Sequence, residues 1–377
     1  MQKAGIYIHI PFCRRKCTYC NFHFSTNFSL KDGLLEALHM EISQKIDTWR
    51  HFQISSIYFG GGTPSILTMD EISIILNQFI DNAAFDSEIE ITFEANPEDL
   101  SLHYLQELLT LGINRLSIGV QSFKNDDLRW MNRNHSQVDN IKCIENVKNA
   151  GFKNFSIDLI YGIPGLSDSE WSNHLASVSL WEIPHFSAYA LTVEPKTKLF
   201  HDVNKKKYLL PGEEKVLEQM DILLDFCEQD HYEPYEISNF AKEGYRAIHN
   251  SNYWKGLPYF GFGPSAHSFD GSSRSWNIAD NIQYIQALTQ GLRFNESEVL
   301  SKENKFNEYL MLNLRKIEGV DLDYIKTHYS EYYEKLISQL NDYKQKGLIT
   351  SNSNKYMLTR AGKHIADRIS SDIFTDI

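Results

Sequence analysis

The sequence is poor in positive charge. Its 37 lysines and arginines face 49 aspartates and glutamates, which leaves a formal net charge of −12 over 377 residues. That balance argues against non-specific nucleic-acid binding, which needs a positive surface to displace counterions. Long apolar runs are missing too, and none approaches the roughly 20 residues of a membrane-spanning helix. The N-terminus enters a strand pattern at once, without the charged flank, apolar stretch and cleavage site of a signal peptide, so a cytoplasmic location is expected. Cysteine is scarce, five residues in all, and three of them stand together. They make a poor disulfide framework and fit a reducing compartment. What remains is ordinary for a folded domain: 42% hydrophobic and 23% charged residues, enough for a sizeable core and two domains.

The clustered cysteines, Cys13, Cys17 and Cys20, follow the apolar segment Ile6 to Ile10 with the spacing C-x3-C-x2-C. Three thiolates on one short loop ask for a metal and leave one coordination position open. Iron–sulfur clusters are held by cysteine, usually four per cluster, so a trio reads as a [4Fe–4S] site whose unique iron takes an exogenous ligand. Zinc on three cysteines and a histidine, His9 or His23, is the alternative, although structural zinc usually draws C-x2-C pairs from two loops. Arg14, Arg15 and Lys16 would offset cluster charge or dock an acidic electron donor, or else form a solvated charge run. Cys143 and Cys227 lie in helical patterns and read as small buried hydrophobes.

Along the chain, apolar strand patterns recur about every 30 residues: Ile6 to Ile10, Ile54 to Phe59, Glu88 to Glu94, Arg115 to Gln121, Phe155 to Tyr161 and His185 to Leu191. Helical patterns separate them, so the sheet is expected to be parallel with right-handed crossovers. Six units fall short of the eight that close a barrel. The fold class is therefore α/β, a partial (β/α)6 barrel with its functional residues at the C-terminal strand ends. Residues 1–240 would form the barrel and 241–296 an aromatic, glycine-rich connector, expected to be a shaped surface and not a plain helix. Residues 297–377, helices followed by a short hairpin, resemble a winged-helix unit. Given the acidic balance, that unit reads as a lid or partner surface ahead of a DNA reader.

Unusual residues do collect at those strand ends. Gly60 to Gly62, followed by Thr63, would let backbone approach a ligand closely or simply make a tight turn. Glu94 offers a carboxylate to a cationic group, unless it is only a surface charge. Gln121 ends its strand, and Arg133 supplies a planar fork suited to a carboxylate. Asp158 lies among Ile157, Leu159 and Ile160, where an unpaired aspartate is uncommon. Tyr7 points near the cysteine loop or packs in the core.

Together these stretches resemble one branch of the radical SAM superfamily, the anaerobic coproporphyrinogen III oxidases and the related HemW-type haem chaperones. The resemblance rests on YIHIPF from Tyr7, the cysteine loop, GGGTPS from Gly60, EANPE from Glu94, IGVQSF from Ile118, NRNH from Asn132 and IDLIYGIPG from Ile157. It implies that Cys13, Cys17 and Cys20 bind a [4Fe–4S] cluster and that Tyr7, Gly62, Thr63, Glu94, Gln121, Arg133 and Asp158 contact S-adenosyl-L-methionine (SAM). Two departures point to the chaperones. Phe22 stands where the oxidases carry a further cysteine, and only twelve residues precede Cys13. The stretch His249 to Trp254, H-N-x-x-Y-W, is typical of the chaperone branch and implies haem as a further cofactor. His249 is then the candidate axial ligand, with a hydrogen-bonded loop histidine as the alternative. The partners implied are a haem acceptor protein and an acidic donor such as a flavodoxin, with no nucleic acid and membrane contact only through the acceptor. Enzymatic oxidation of coproporphyrinogen is the alternative function.

Overall fold

The computed structural model describes residues 1–375. Six parallel strands form its centre: β1 (Lys3–Ile10), β2 (Gln53–Gly61), β3 (Ala84–Ala95), β4 (Arg115–Gln121), β5 (Asn154–Tyr161) and β6 (His185–Ala190), hydrogen-bonded in that order. Their interiors are buried almost throughout, as parallel strands covered on both faces require. The intervening helices start close behind the strands because the chain supplies capping boxes there. Thr68 with Glu71, Ser136 with Asp139 and Ser167 with Glu170 each satisfy two backbone donors reciprocally.

The barrel stays open, as expected, but the sheet does not stop at six strands. On one side β7 (Glu233–Pro234) and β8 (Asn239–Ala241) add antiparallel to β6. On the other, β9 (Tyr259–Phe262) pairs parallel with β1, and β10 (His267–Phe269), β11 (Ser273–Asn277) and β12 (Asn295–Val299) extend the sheet antiparallel. Segment 241–296 is thus built into the barrel sheet and is not a connector outside it.

Nor is its aromatic stretch merely a shaped surface: Ile248–Trp254 is a helix. Its residues are weak helix formers, and its start is held from a distance. The buried Glu90 carboxylate of β3 accepts from the backbone N–H groups of Ile248 (2.8 Å) and His249 (2.9 Å), opposite the helix's positive end. The glycines after it have a packing reason. At Gly263 (φ +97°) a Cβ would lie 2.5 Å from the His9 carbonyl oxygen, so only glycine lets the end of β9 run this close to β1.

Two cores result. One, including Ile6, Phe59, Phe93, Ile118, Phe186 and Phe262, fills the barrel. The other, around Leu310, Leu314, Ile325, Leu340 and Ile369, belongs to the C-terminal helices and the small sheet β13 (Val320–Asp321), β15 (Lys355–Leu358) and β14 (Ile349–Asn352). The winged-helix-like arrangement of helices and hairpin is therefore present. Polar links join the two parts: Arg360 to Asp221 at 2.6 Å, Arg246 to Glu318 at 2.8 Å, and the Ile317 N–H to the Tyr235 carbonyl at 3.2 Å. No helix among the described residues is long and apolar enough to cross a membrane.

Candidate functional site

The loop carrying the cysteines has little regular structure and is held by its neighbours. At its base, Cys13 N–H donates to the Ser25 carbonyl (3.0 Å) and Ser25 N–H to that of Pro11 (2.8 Å). Further along, Thr18 N–H donates to the Met131 carbonyl (3.0 Å), Asn132 Nδ2 to that of Lys16 (2.7 Å) and Leu199 N–H to that of Thr18 (2.8 Å). The three thiols, each half-buried, face one cavity of about 770 Å³ at the C-terminal ends of the strands.

That cavity gathers every residue assigned from the sequence to cluster, SAM or haem: Tyr7, Gly62, Thr63, Glu94, Gln121, Arg133, Asp158 and His249 line it together with Cys13, Cys17 and Cys20. Gly62 answers the question of its own role. A Cβ there would lie 2.7 Å from the Phe12 backbone N and O, so the residue brings the end of β2 against the chain entering the cysteine loop. Gln121 has φ +67°, a left-handed conformation in a non-glycine residue at the end of β4.

Polar groups reach the thiols directly. Thr63 Oγ1 donates to Cys13 Sγ and Arg133 Nη1 to Cys17 Sγ, both at 3.4 Å. Arg133 Nη2 is held by Asn96 Oδ1 (2.7 Å) and the Gly119 carbonyl (2.8 Å), while its Nε is buried with no partner among the described residues. Burial works against its charge, but Tyr19 and Cys17 outweigh that and raise its pKa. Burial pushes the Cys13 thiol up to about 11 and moves Cys20 the same way.

Two carboxyls, Glu94 and Asp158, line the same cavity. Glu94 accepts from Tyr58 Oη (2.6 Å) and the Gly61 N–H (3.2 Å), yet burial, seconded by the Asp158 charge, lifts it to about 7. Burial likewise lifts Asp158 to about 6, against the pull of Ser187, Arg115 and Arg133. Such a wall is short of positive charge and suits a cationic ligand, whereas Arg133 suits an anionic one; Arg115, whose Nε has no hydrogen bond among the described residues, already lies 3.8 Å from the Glu90 carboxylate.

His249 is placed differently from the expectation of a haem ligand. It is 3% exposed, with Nδ1 on Ser56 Oγ (2.8 Å) and Nε2 on Tyr253 Oη (2.9 Å), and its ring stacks on Tyr58 with centroids 5.0 Å apart. Burial pulls its pKa down to about 3. Both ring nitrogens carry hydrogen bonds, as in the hydrogen-bonded alternative, and one of those bonds would have to break for His249 to bind iron. The histidines considered for zinc are also engaged: His9 with Tyr7 Oη (3.1 Å) and the His23 carbonyl (3.0 Å), His23 with Asn281 (2.7 Å). No three His, Cys, Asp or Glu side chains among the described residues close round a single-ion site. Cys13, Cys17 and Cys20 line one cavity wall.

Sequence reasoning missed Tyr58, Asn96, Arg115 and Ser187, all in this cavity. Tyr58 was within reach of it: parallel pairing sets it beside Tyr7, with rings 6.1 Å apart, and strand alternation points both the same way. Asn96 lies in the quoted EANPE stretch, but its bond to Arg133 spans 37 residues and leaves no local mark.

Fold and site define a class: an open parallel barrel with a three-thiol loop and a polar cavity at its mouth. A family model described as the radical SAM superfamily matches residues 7–178. The heme chaperone HemW of Bacillus subtilis (strain 168) is 34% identical over 367 residues, 96% of this chain and 97% of the relative. The HemW of Lactococcus lactis subsp. lactis (strain IL1403) is 29% identical, covering 100% and 99%. Coproporphyrinogen III oxidase (HemN) of Escherichia coli, a radical SAM enzyme, shares the fold with a TM-score of 0.85 over 99% of this chain and 90% of its own, at 23% identity. The chain belongs to the radical SAM superfamily and, within it, to the HemW family. A radical SAM protein uses a [4Fe–4S] cluster and SAM, and the donors here fit both: three thiols for the cluster, the Arg133 guanidinium, whose Nε has no partner among the described residues, for the SAM carboxylate, and the buried Glu94 and Asp158 carboxyls for its sulfonium and ammonium groups.

Proposed function

We propose that this protein is a cytoplasmic haem chaperone, one that binds haem and passes it to an acceptor protein while keeping a radical SAM centre at the barrel mouth. Cys13, Cys17 and Cys20 would hold the cluster. Tyr7, Gly62, Thr63, Gln121 and Arg133 would seat SAM, Arg133 facing its carboxylate and Glu94 and Asp158 its cationic groups. When bound, cluster and SAM supply one-electron reductive chemistry; the chain's share is to orient them and keep water out. Arg14, Arg15 and Lys16 are exposed beside the loop and would dock an acidic electron donor such as a flavodoxin.

The observation that carries this reading is the convergence of the three thiols and the strand-end residues on one cavity in a chain of the HemW family. Phe22, 70% exposed, occupies the position of the oxidases' further cysteine and cannot ligate metal, which favours the chaperone over the oxidase.

Anaerobic reconstitution is expected to yield iron and labile sulfide in equal amounts, a Soret band on adding hemin, and haem transfer to an apo-haemoprotein. Under the same reducing, oxygen-free conditions coproporphyrinogen should remain unchanged. Its conversion to protoporphyrinogen would sink the chaperone reading in favour of the oxidase.

A further inference from the structure

A second cavity, of about 830 Å³, lies on the far side of the cysteine loop, within the roughly 300–1,000 Å³ range of cofactor pockets. Tyr7, Asn21, Phe22 and Tyr253 belong to the walls of both cavities, so the end of the loop is the partition between them. The barrel contributes β9, β10 and the end of the helix Ile248–Trp254, and the C-terminal unit contributes the helices Lys302–Leu314 and Leu322–His328. The lining is aromatic. Trp254, Tyr259 and Phe269 come from the barrel side, and Tyr309 and Tyr324, stacked with centroids 4.4 Å apart, from the other.

Its charge runs against that of the molecule. Lys255, Lys305 and Lys316 line it with no carboxylate within 4.0 Å among the described residues, in a chain of net charge −12. Arg274 pairs with Glu308 at 2.7 Å, but its Nε is buried without a partner, as is Trp254 Nε1. Burial lowers the Lys316 pKa, and the neighbouring Lys255 and Lys355 add to that against the opposing charge of Glu318. Unused donors and cations around an aromatic slot call for a ligand with a broad apolar face and an anionic edge.

One further group narrows the class. His267, exposed at the start of β10, has no hydrogen-bond partner for either ring nitrogen among the described residues, and its ring lies nearly parallel to that of Trp276, 6.3 Å away. Of the three histidines lining the cavity, His9 has both nitrogens bonded and His23 has its Nε2 bonded, which leaves His267 with both available. Burial, and then Arg274, moves its pKa below the usual value, so the ring is neutral and able to ligate near pH 7.

We propose that this groove between barrel and C-terminal unit is where haem is held, with His267 as axial ligand to the iron and Lys255, Lys305 and Lys316 facing the propionates. The inference rests on the haem-chaperone reading and gives it a place. His249 then becomes a positioning residue. Its helix turns it toward the SAM cavity while its bond to Tyr253 Oη holds that ring at the wall of the groove. Haem and cluster would sit on opposite sides of a partition of Tyr7, Phe22 and Tyr253.

The test is a hemin titration of the full chain, read by Soret position and affinity, with SAM affinity and circular dichroism as controls of the fold. His267→Ala should change the Soret position, weaken binding about tenfold or more, and regain the band with added imidazole. Lys305→Glu combined with Lys316→Glu should weaken binding about tenfold, as lost charge-assisted contacts do, with the Soret position kept. His249→Ala should keep the Soret position. If His267→Ala retained the parent spectrum and affinity while His249→Ala lost them, the ligand would lie in the other cavity and this inference would fall, the chaperone reading standing. A wild-type chain that bound no hemin would remove both.

Discussion

Asp158 shows how a single residue records both fold and ligand. Its folded pKa of about 6 lies above its ordinary value of 3.8, so the fold disfavours the charged form. The stability it contributes is full below 3.8 and is lost as pH rises through about 6. Asp158→Asn removes that loss. In the absence of SAM the variant should match wild type near pH 4 and exceed it above pH 7 by on the order of 2 kcal/mol, seen in denaturant midpoints across pH. It should also draw the Glu94 pKa down, because the Asp158 charge helps to raise it. A difference that stayed constant with pH would refute the account. Asparagine cannot offer SAM a negative charge, so SAM affinity should fall while apo stability rises. His249 carries the complementary lesson: a histidine in an aromatic stretch reads as a ligand candidate, and the structure places Ser56 and Tyr253 on its two nitrogens.

Strand ends are the elements on which the site depends. The end of β2 must approach the chain entering the cysteine loop, and Gly62, where a Cβ would meet backbone atoms of Phe12 and Ile10 at 2.7–2.8 Å, makes that approach possible. Backbone cannot swing aside as a side-chain tip can. Gly62→Ala should therefore cost about 1–3 kcal/mol in chemical denaturation and leave the reconstituted protein short of iron and sulfide. Normal iron content with unchanged stability would show that the loop tolerates the displacement. The helix Ile248–Trp254 depends on tertiary structure in another way, since the groups that cap its first turn are the oxygens of Glu90, about 160 residues earlier.

At the scale of the whole molecule, two cores meet across a charged seam, and the groove between them needs both. A chain ending at Leu300 keeps every strand of the twelve-stranded sheet and loses only Arg315 from the lining of the first cavity, but it loses Lys305, Tyr309, Lys316 and Tyr324 from the groove. It should bind SAM within about twofold of the full chain and haem about tenfold or more weakly, by calorimetry and Soret titration. Undiminished haem binding would place the site wholly on the barrel. The C-terminal unit, a lid or partner surface in the reading of its sequence, closes the groove wall in the structure.

The sequence by itself determined the cysteine loop, the six parallel strands and part of the set of residues round the first cavity. All three are local records: a spacing of thiols, apolar runs that must be buried on both faces, and polar exceptions at strand ends, which a parallel barrel necessarily brings together. Tertiary structure alone decided that β9 joins the sheet beside β1, that His249 faces inward with both nitrogens bonded, and that His267 stands free in a second cavity. Each depends on a pairing or a cap between residues tens to hundreds of positions apart, and side-chain direction on a short helix or an edge strand follows from those partners and not from the residues beside it.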